Sequence, residues 1–337
     1  MLGSVGVWSG CLVFGRGWLT HVCYPLYGGL VAIIARFLIG VQWGEYARRG
    51  AGAGLGALWV SGEEAVVFLN GQLTINVGRL QQQWKVAGYC APSGKVLAVM
   101  WVVPWQRDGV QGFYLLMPNV LLEAVQARLK KFILRSRVSL EVVALSMRVL
   151  NLGGEKALEF ALPVVEDEAG GLCLTFPNGA VVWCGFDEQG ATQDWQELRA
   201  LCIGLGMAMV YVSTSDVFVP QMLGLTAIGA VEFDKGCYVG QEVVARLHYK
   251  SQVRQHLGWA IVDKMWIRDL QVGEALFYEQ QKAAVVLDWV QGEQGFWVQA
   301  VIQQRFVGKK LGRKDKEDKI IFELNHEAAA LKEDNNG

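Results

Sequence analysis

The spacing of hydrophobic and polar positions divides the chain into short strands and amphipathic helices. In the first half, apolar residues at intervals of two predict strands, and apolar residues three or four positions apart predict helices. The strands are expected at residues 57–60, 83–89, 96–103, 113–117 and 138–145. The helices are expected at residues 63–73 and 119–134. The strand–helix–strand–strand–helix–strand order predicts an α+β unit of the split, ferredoxin-like kind.

The beginning of the first helix carries a separate signal. Ser61 is a candidate N-cap, and Glu64 follows it at the spacing of a capping box. Ala65, Phe68 and Leu69 then form an apolar stripe, which predicts that this helix packs on the sheet.

A second α+β unit is predicted from strands at 148–151 and 180–185 and a helix at 195–205. The segment 221–250 is expected to return to the first unit. From His256 onward, short strands alternate with glycine turns, a pattern typical of a small barrel. Those strands are expected at residues 257–262, 274–277, 283–289 and 295–302. The chain beyond residue 306 is lysine-rich and then acidic, which predicts a frayed tail.

The first fifty residues differ from the rest. Residues 25–41 are apolar and glycine-rich, but Arg36 interrupts them, so the run is shorter than a membrane-spanning helix requires. A signal peptide needs a basic start and a small-residue cleavage site, and neither is clear here. These features favour a little-structured extension, followed by a glycine–alanine linker at residues 50–56, over a membrane anchor.

The amino-acid composition argues against some classes of function. The chain is 52% hydrophobic and 19% charged, which is typical of a globular protein. Its formal net charge of −1 gives no overall attraction to nucleic acid, so any RNA contact needs a local basic patch. Seven cysteines without a Cys-x-x-Cys pair, and four scattered histidines, argue against a structural zinc site. The odd number of cysteines indicates a reducing, cytoplasmic environment.

Residues 233–246, hereafter the signature segment, concentrate reactive side chains. Lys235 beside Cys237 favours the thiolate, which is the reactive form of cysteine. Glu242 and Arg246 stand four residues apart and are expected to pair on one helix face. The structural alternative is a turn that leads into an amphipathic helix, with Val243, Val244 and Leu247 facing the core. The residues alone leave both interpretations open.

The order Lys-Gly-Cys-Tyr-x-Gly-Gln-Glu at 235–242 resembles the signature of the YgfZ family of folate-binding proteins, which are linked to tRNA modification and iron–sulfur enzyme maturation. Flanking segments resemble the family in the same order, at residues 60–74, 88–95, 218–223 and 244–254. The resemblance extends from about Gly56 to about Gln304, which is most of the chain.

The resemblance implies a fold shared with the aminomethyltransferase of the glycine cleavage system. Two pseudo-equivalent, ferredoxin-like α+β units would form a central folate channel, with a C-terminal β-barrel beside them. The implied divisions are a poorly structured extension at 1–55, a first unit at 56–145, a second unit with the signature at 146–254, a barrel at 255–305 and a charged tail at 306–337.

The resemblance also implies a site for tetrahydrofolate or a derivative. Cys237 is the candidate reactive thiol; transient iron contact, disulfide exchange and one-carbon chemistry all stay open for it. Lys235 either attracts an anionic ligand or is a solvated charge, and Trp195 either stacks on the pterin or packs in the core. The implied folate-binding residues are Trp195, Gln221, Lys235, Gly236, Tyr238, Gly240, Gln241, Glu242 and Arg246.

Two departures bear on the activity. The aminomethyltransferases carry a catalytic aspartate that the stretch 94–99 lacks, and Cys202 stands where they place a pterin-binding glutamate. General acid–base chemistry on folate needs a carboxylate within reach, so the chain is expected to have no autonomous catalytic activity. The prediction is a cytoplasmic accessory protein for iron–sulfur enzymes such as tRNA-modifying proteins. The alternatives are a folate-dependent aminomethyl transferase, or a tRNA-binding module that uses the basic stretch 246–254.

Overall fold

The computed structural model describes residues 54–151, 153, 162–166, 170–186, 193–250, 252–267, 269–292, 295–313 and 319–324. The predicted extension and its apolar run lie outside these residues. The predicted glycine–alanine linker is wrong at its end, because Leu55 and Gly56 already belong to the first strand. Gly56 is buried there, and a Cβ atom at this position would lie 3.1 Å from the Cα atom of Asn119.

The first unit contains the five strands and two helices that the sequence predicts, which is one strand more than the ferredoxin-like order has. Its elements are β1 (Leu55–Ser61), α1 (Ala65–Gln72), β2 (Gln83–Cys90), β3 (Val96–Arg107), β4 (Val110–Pro118), α2 (Leu122–Ile133) and β5 (Ser139–Val143). The antiparallel sheet order is β5-β1-β4-β3-β2. In this order, the strands β5, β1, β4 and β3 have the split ferredoxin-like arrangement, and β2 is added beside β3.

The predicted capping box does not form. Ser61 is the last residue of β1 and is buried, and α1 begins only at Ala65. Gly62 turns the chain with a φ of +117°, where a Cβ atom would collide with the carbonyl oxygen of Arg137. The Glu64 carboxylate accepts a hydrogen bond from the Arg137 backbone N–H, 2.6 Å away, instead of capping the helix.

The second unit extends the same sheet. It contains β6 (Ser146–Asn151), β7 (Leu162–Glu166), β8 (Leu172–Thr175), β9 (Val181–Gly185) and α3 (Trp195–Gly204), of which the β7–β8 hairpin was not predicted. Because β7 pairs with β2, the nine strands form one curled sheet in the order β5-β1-β4-β3-β2-β7-β8-β9-β6. The side-chain amide of Gln193 forms hydrogen bonds with the backbone of Leu55 in β1 and of Leu145, which directly precedes β6. These bonds link the two ends of the sheet.

Aromatic side chains fill much of the core. The ring of Trp84 lies 4.8 Å from that of Phe176 and 5.5 Å from that of Trp101. Farther along the sheet, the ring of Tyr114 stacks on that of Phe186 at 3.7 Å. Rings of this size bury large apolar areas, so several of the thirteen tryptophans serve packing.

The segment after α3 returns to the first unit, as predicted. Thr74 donates its hydroxyl to the carbonyl of Ala230 at 2.6 Å, and the Glu232 N–H donates to the carbonyl of Thr74 at 2.9 Å. Helix α4 (Gln241–Lys250) follows and contains the second half of the signature segment.

The C-terminal part is the predicted barrel, made of seven strands. Its elements are β10 (Gln255–Val262), α5 (Lys264–Ile267), β11 (Ala275–Tyr278), β12 (Gln281–Gly292), β13 (Gly295–Gln303), β14 (Lys310–Gly312), β15 (Lys319–Ile321) and β16 (Glu323–Leu324). The strand order is β15-β14-β11-β12-β13-β10-β16. β15 and β16 lie at opposite ends of this order but are joined in sequence through Phe322. The sheet therefore curls back on itself.

The prediction of a frayed, charged tail from residue 306 is wrong for residues 310–312 and 319–324. Leu311 and Phe322 are fully buried in the barrel core. These two apolar side chains explain why a lysine-rich segment adds strands to the barrel. Within the described part of the chain, no helix combines the length and the apolar character needed to cross a bilayer.

Candidate functional site

Two glycines let the signature segment lie directly against the turn between β2 and β3. Gly240 has a φ of +85° and Gly94 a φ of +77°, a region that favours glycine. A Cβ atom at Gly240 would collide with the Ala91 carbonyl oxygen, and one at Gly94 would lie 2.8 Å from the Cβ atom of Val243. At Gly236, by contrast, a Cβ atom would meet nothing within 4 Å. Close packing therefore requires Gly240, whereas Gly236 has open space around it.

Side-chain amides hold the first turn of α4. The Tyr238 N–H donates to Oε1 of Gln241 at 3.3 Å, and Nε2 of Gln221 donates to the Val244 carbonyl at 2.8 Å. The Tyr238 hydroxyl and Oε1 of Gln221 are buried without a hydrogen-bond partner. Buried polar atoms are usually paired, so these two are candidates to meet a ligand or an ordered water.

Lys235 ties the signature segment to the end of α1. Its ammonium donates to the carbonyl oxygens of Asn70 at 2.8 Å and Leu73 at 2.6 Å. It also lies 4.9 Å from the centre of the Tyr238 ring. Carbonyl groups in the last turn of a helix lack partners within the helix, and a lysine there satisfies them. This geometry favours a structural role over the solvated charge that the sequence left open.

The Lys235 ammonium is expected to titrate near pH 8, because burial lowers its pKa to about 8 and the charge of Glu232 opposes this only in part. Between about pH 8 and the ordinary pKa of 10.5, the unfolded chain then binds more protons than the folded chain. The free energy of unfolding should therefore gain a contribution that rises with pH across this window. Denaturant unfolding of wild type and Lys235→Met measures it. A difference between the two that stays constant over this range would contradict the assignment.

Cys237 is the exposed thiol of the signature. Of the five cysteines that the structure describes, Cys90, Cys184 and Cys202 are buried, Cys173 is half-buried and Cys237 is exposed. Burial raises the pKa of Cys90 to about 12, which keeps that thiol protonated and unreactive. The missing side chain at Gly236 leaves space beside Cys237. The arrangement suits a thiol that reacts with, or binds to, something arriving from solvent.

The predicted ion pair between Glu242 and Arg246 is wrong. Both side chains are exposed on α4, and no ion pair joins them among the described residues. An exposed pair gains little energy in water and loses side-chain freedom, so separate solvation of both charges is the expected balance.

An aromatic cluster beside the signature was not predicted. The rings of Phe233 and His248 stack with centroids 3.9 Å apart and planes 13° apart. The ring of Tyr249 stands edge-on to both, and 69% of this residue is exposed. Phe233 lies fifteen positions before His248 in sequence, so only the fold brings these rings together.

Trp195 belongs to a different element, the first turn of α3, which packs against β6, β12 and β13. The residue is 8% exposed, and its indole N–H is buried without a partner. One turn further along, the buried Arg199 binds the buried Asp288 carboxylate of β12, with Nε 3.0 Å from Oδ1. The Tyr211 hydroxyl donates to the same carboxylate at 2.6 Å.

Gln299 pairs with Asp288 across neighbouring strands, where β12 has a bulge. Gln299 is 1% exposed, and neither its amide nitrogen nor its amide oxygen has a partner. Directly opposed residues share one face of a sheet, so Gln299 points toward the same interface with α3 as Asp288. The face between α3 and the barrel therefore holds three unpartnered polar atoms, on Trp195 and Gln299.

A carboxylate also lies near the stretch 94–99, where the sequence has none. Asp216 comes from a later segment; its N–H donates to the Val96 carbonyl at 2.9 Å, and its carboxylate accepts from the Ser93 hydroxyl at 3.4 Å. Asp216 is exposed and has a φ of +59°. Sequence spacing gave no signal for it. The described residues contain no group of three or more His, Cys, Asp or Glu side chains arranged to hold a metal ion.

Comparisons with known proteins agree with this fold and with the signature. No family model matches the chain. It is 27% identical over 281 residues to the tRNA-modifying protein YgfZ of Hamiltonella defensa, covering 74% of this chain and 82% of that protein. It is 30% identical over 226 residues to the tRNA-modifying protein YgfZ of Colwellia psychrerythraea, covering 60% and 68%.

Among solved structures, the chain is similar to the glycine cleavage system aminomethyltransferase T of Bartonella henselae. The TM-score is 0.59 at 13% identity, and the match covers 80% of this chain and 82% of that one. At this identity the likeness establishes the fold alone, and it confirms the predicted α+β architecture. The sequence matches, which include a relative at 30% identity covered over 68% of its length, establish more: the chain belongs to the YgfZ family.

Proposed function

We propose that the chain is a folate-binding accessory protein that supports iron–sulfur cluster assembly or repair and thereby tRNA modification. One observation carries the proposal: Cys237 is exposed in a signature segment whose other anchors are packed. A segment needed only for packing would bury its thiol, because unpaired cysteine is among the most buried residue types. The relatives are named tRNA-modifying proteins, which supports the tRNA-modification part of the proposal.

Unpartnered polar atoms support the folate part of the proposal. A pterin carries hydrogen-bond donors and acceptors on the edge of a flat ring, and it needs partners of both kinds. The unpartnered indole N–H of Trp195 and the unpartnered amide of Gln299 offer both at the face between α3 and the barrel. Near the signature, the Tyr238 hydroxyl and Oε1 of Gln221 offer two more. When bound, tetrahydrofolate or a derivative supplies a ring that can carry a one-carbon unit or be oxidised.

The remaining predicted folate residues fall into two groups. Lys235, Gly240 and Gln241 position the segment, since each holds α4 or α1 through the contacts described above. Gly236, Glu242 and Arg246 line its exposed side and are available to a ligand tail. We assign Cys237 transient contact with an iron centre, or exchange with a disulfide, in a partner.

In this proposal the protein is a cytoplasmic accessory protein without catalytic activity of its own. Its partners are iron–sulfur enzymes such as those that modify tRNA. The competing function is a folate-dependent aminomethyl transferase. In that reaction Asp216 would have to supply the catalytic carboxylate. Its position beside Val96 is the one observation that favours this alternative. Asp216→Asn should leave the accessory function unchanged, but would abolish a transferase.

Cys237→Ser is expected to fold as well as wild type, because the residue is exposed and serine is nearly isosteric. In a bacterial strain lacking its own YgfZ protein, wild type should restore iron–sulfur-dependent tRNA thiolation, and Cys237→Ser should not. The matched control is Cys173→Ser, which should restore it, since this half-buried thiol lies on β8, outside the signature. In the purified protein, iodoacetamide should label Cys237 before the other four described cysteines. Restoration by Cys237→Ser would make the thiol structural and sink the proposal.

A further inference from the structure

The second half of α4 carries exposed rings and positive charges, and Tyr249 lies between the side of the helix that bears Arg246 and Lys250 and the side that bears His248. Arg246, Tyr249 and Lys250 are exposed and stand three and four positions apart, which places them next to one another on one helix face. The stacked pair Phe233 and His248 adjoins Tyr249. These five residues are called the aromatic–basic face.

The rings of this face are held in place before any partner arrives. Phe233 covers one side of the His248 ring, and Tyr249 stands edge-on beside them. Val244, one turn before His248, is fully buried and anchors the helix against the core. The largely exposed Tyr249 ring is thus held by neighbouring rings, so binding a base costs little further side-chain entropy.

The charge of the face differs from that of the whole chain. The chain as a whole carries −1, whereas Arg246 and Lys250 lie within one turn of helix, and the exposed Arg254 follows four residues later. The exposed Glu242 precedes Arg246 by four positions and offsets one of these charges, whereas Asp234 beside Phe233 is engaged at 2.8 Å by Arg79. A local positive surface is what an RNA contact needs in a protein without overall positive charge.

We propose that the aromatic–basic face binds an unpaired segment of RNA. A base stacks on the exposed ring of Tyr249, which Phe233 and His248 support from the side, and Arg246 and Lys250 contact the flanking phosphates. Proteins bind single-stranded nucleic acid by this combination of stacking platforms and cationic side chains. Stacking requires an unpaired base, which excludes a regular RNA duplex as the preferred ligand. The inference rests on the proposed role in tRNA modification, and it adds direct contact with the RNA.

The test is fluorescence anisotropy with two labelled probes, a short single-stranded oligoadenylate and the same sequence in a duplex. No folate and no partner enzyme are present, so failure here leaves the folate proposal untouched. Wild type should prefer the single strand. The double variant His248→Ala/Tyr249→Ala should bind it about ten- to a hundredfold more weakly, since each lost stacking contact has a large effect. Lys250→Gln should instead weaken binding mainly at low salt and reduce the salt dependence.

A matched control comes from α2, where Lys130 and Phe132 are also exposed on one helix. Lys130→Gln/Phe132→Ala removes one charge and one ring, and it should leave the affinity for both probes unchanged. Three results would overturn the proposal. They are equal binding of single strand and duplex, equal loss in the α2 control, and unchanged binding after removal of both His248 and Tyr249. The last result together with tight binding of heparin would indicate a nonspecific anion surface.

Discussion

Arg199→Met is expected to lower the free energy of unfolding by about 3–5 kcal/mol, the largest effect of any single substitution considered for this chain. Arg199 and Asp288 are each 1% exposed, and Arg199 also donates to the Trp289 carbonyl and to Oε1 of Gln196. Removing the guanidinium leaves the Asp288 carboxylate charged inside the protein. The Tyr211 hydroxyl and the Trp289 N–H then remain its partners, and they carry no charge to balance it.

A double-mutant cycle isolates the pair. Arg199→Met/Asp288→Leu removes both charges, and it should cost several kcal/mol less than the sum of the single substitutions, because no unpaired charge stays buried. Urea unfolding monitored by circular dichroism measures all four proteins. Additive losses would mean that the two groups do not interact in solution.

Gly240→Ala is the second large effect, with an expected loss of about 2–4 kcal/mol from a disfavoured φ and from overpacking. The added methyl group would point at the Ala91 carbonyl oxygen and lie 3.1 Å from the Cα atom of Gly94. Both neighbours are backbone atoms in a tight turn, and they cannot move aside as a flexible side chain could. The signature segment should separate from this turn, and thermal unfolding should begin at lower temperature.

Gly236→Ala is the matched control, in the same segment and with the same added atom. A Cβ atom there meets nothing within 4 Å, so the change should stay within about 0.5 kcal/mol. Equal losses from both substitutions would mean that the segment does not dock on the turn as described. A loss of function in Gly236→Ala at unchanged stability would place a ligand beside Cys237.

The parts of the fold that sequence predicts are those with local signals. The helix α2 and the strands β2, β3 and β4 follow from spacing, and they form where expected. The capping box failed because the turn at Gly62 is set by the Arg137 backbone, which is distant in sequence. The barrel strands after residue 306 were missed because two buried residues, Leu311 and Phe322, outweigh many surrounding charges.

The candidate site divides in the same way. The order of residues in the signature segment is local, and it identified the family and the exposed thiol from sequence alone. The sequence could not show contacts between segments that are distant along the chain. Lys235 sits on the end of α1, and Gln299 is left unpartnered opposite Asp288. Both depend on pairing between segments, which neither spacing nor composition encodes.

The most direct test of the central claim, that this chain binds folate, is calorimetric titration of the purified protein with tetrahydrofolate under reducing conditions. We expect saturable binding to one site, with quenching of tryptophan fluorescence that is weaker in Trp195→Phe. Trp105→Phe, on the strand β3, serves as the matched control and should leave the affinity unchanged. Absence of heat and of quenching with folate at millimolar concentration, in protein whose folding is verified by circular dichroism, would contradict the account.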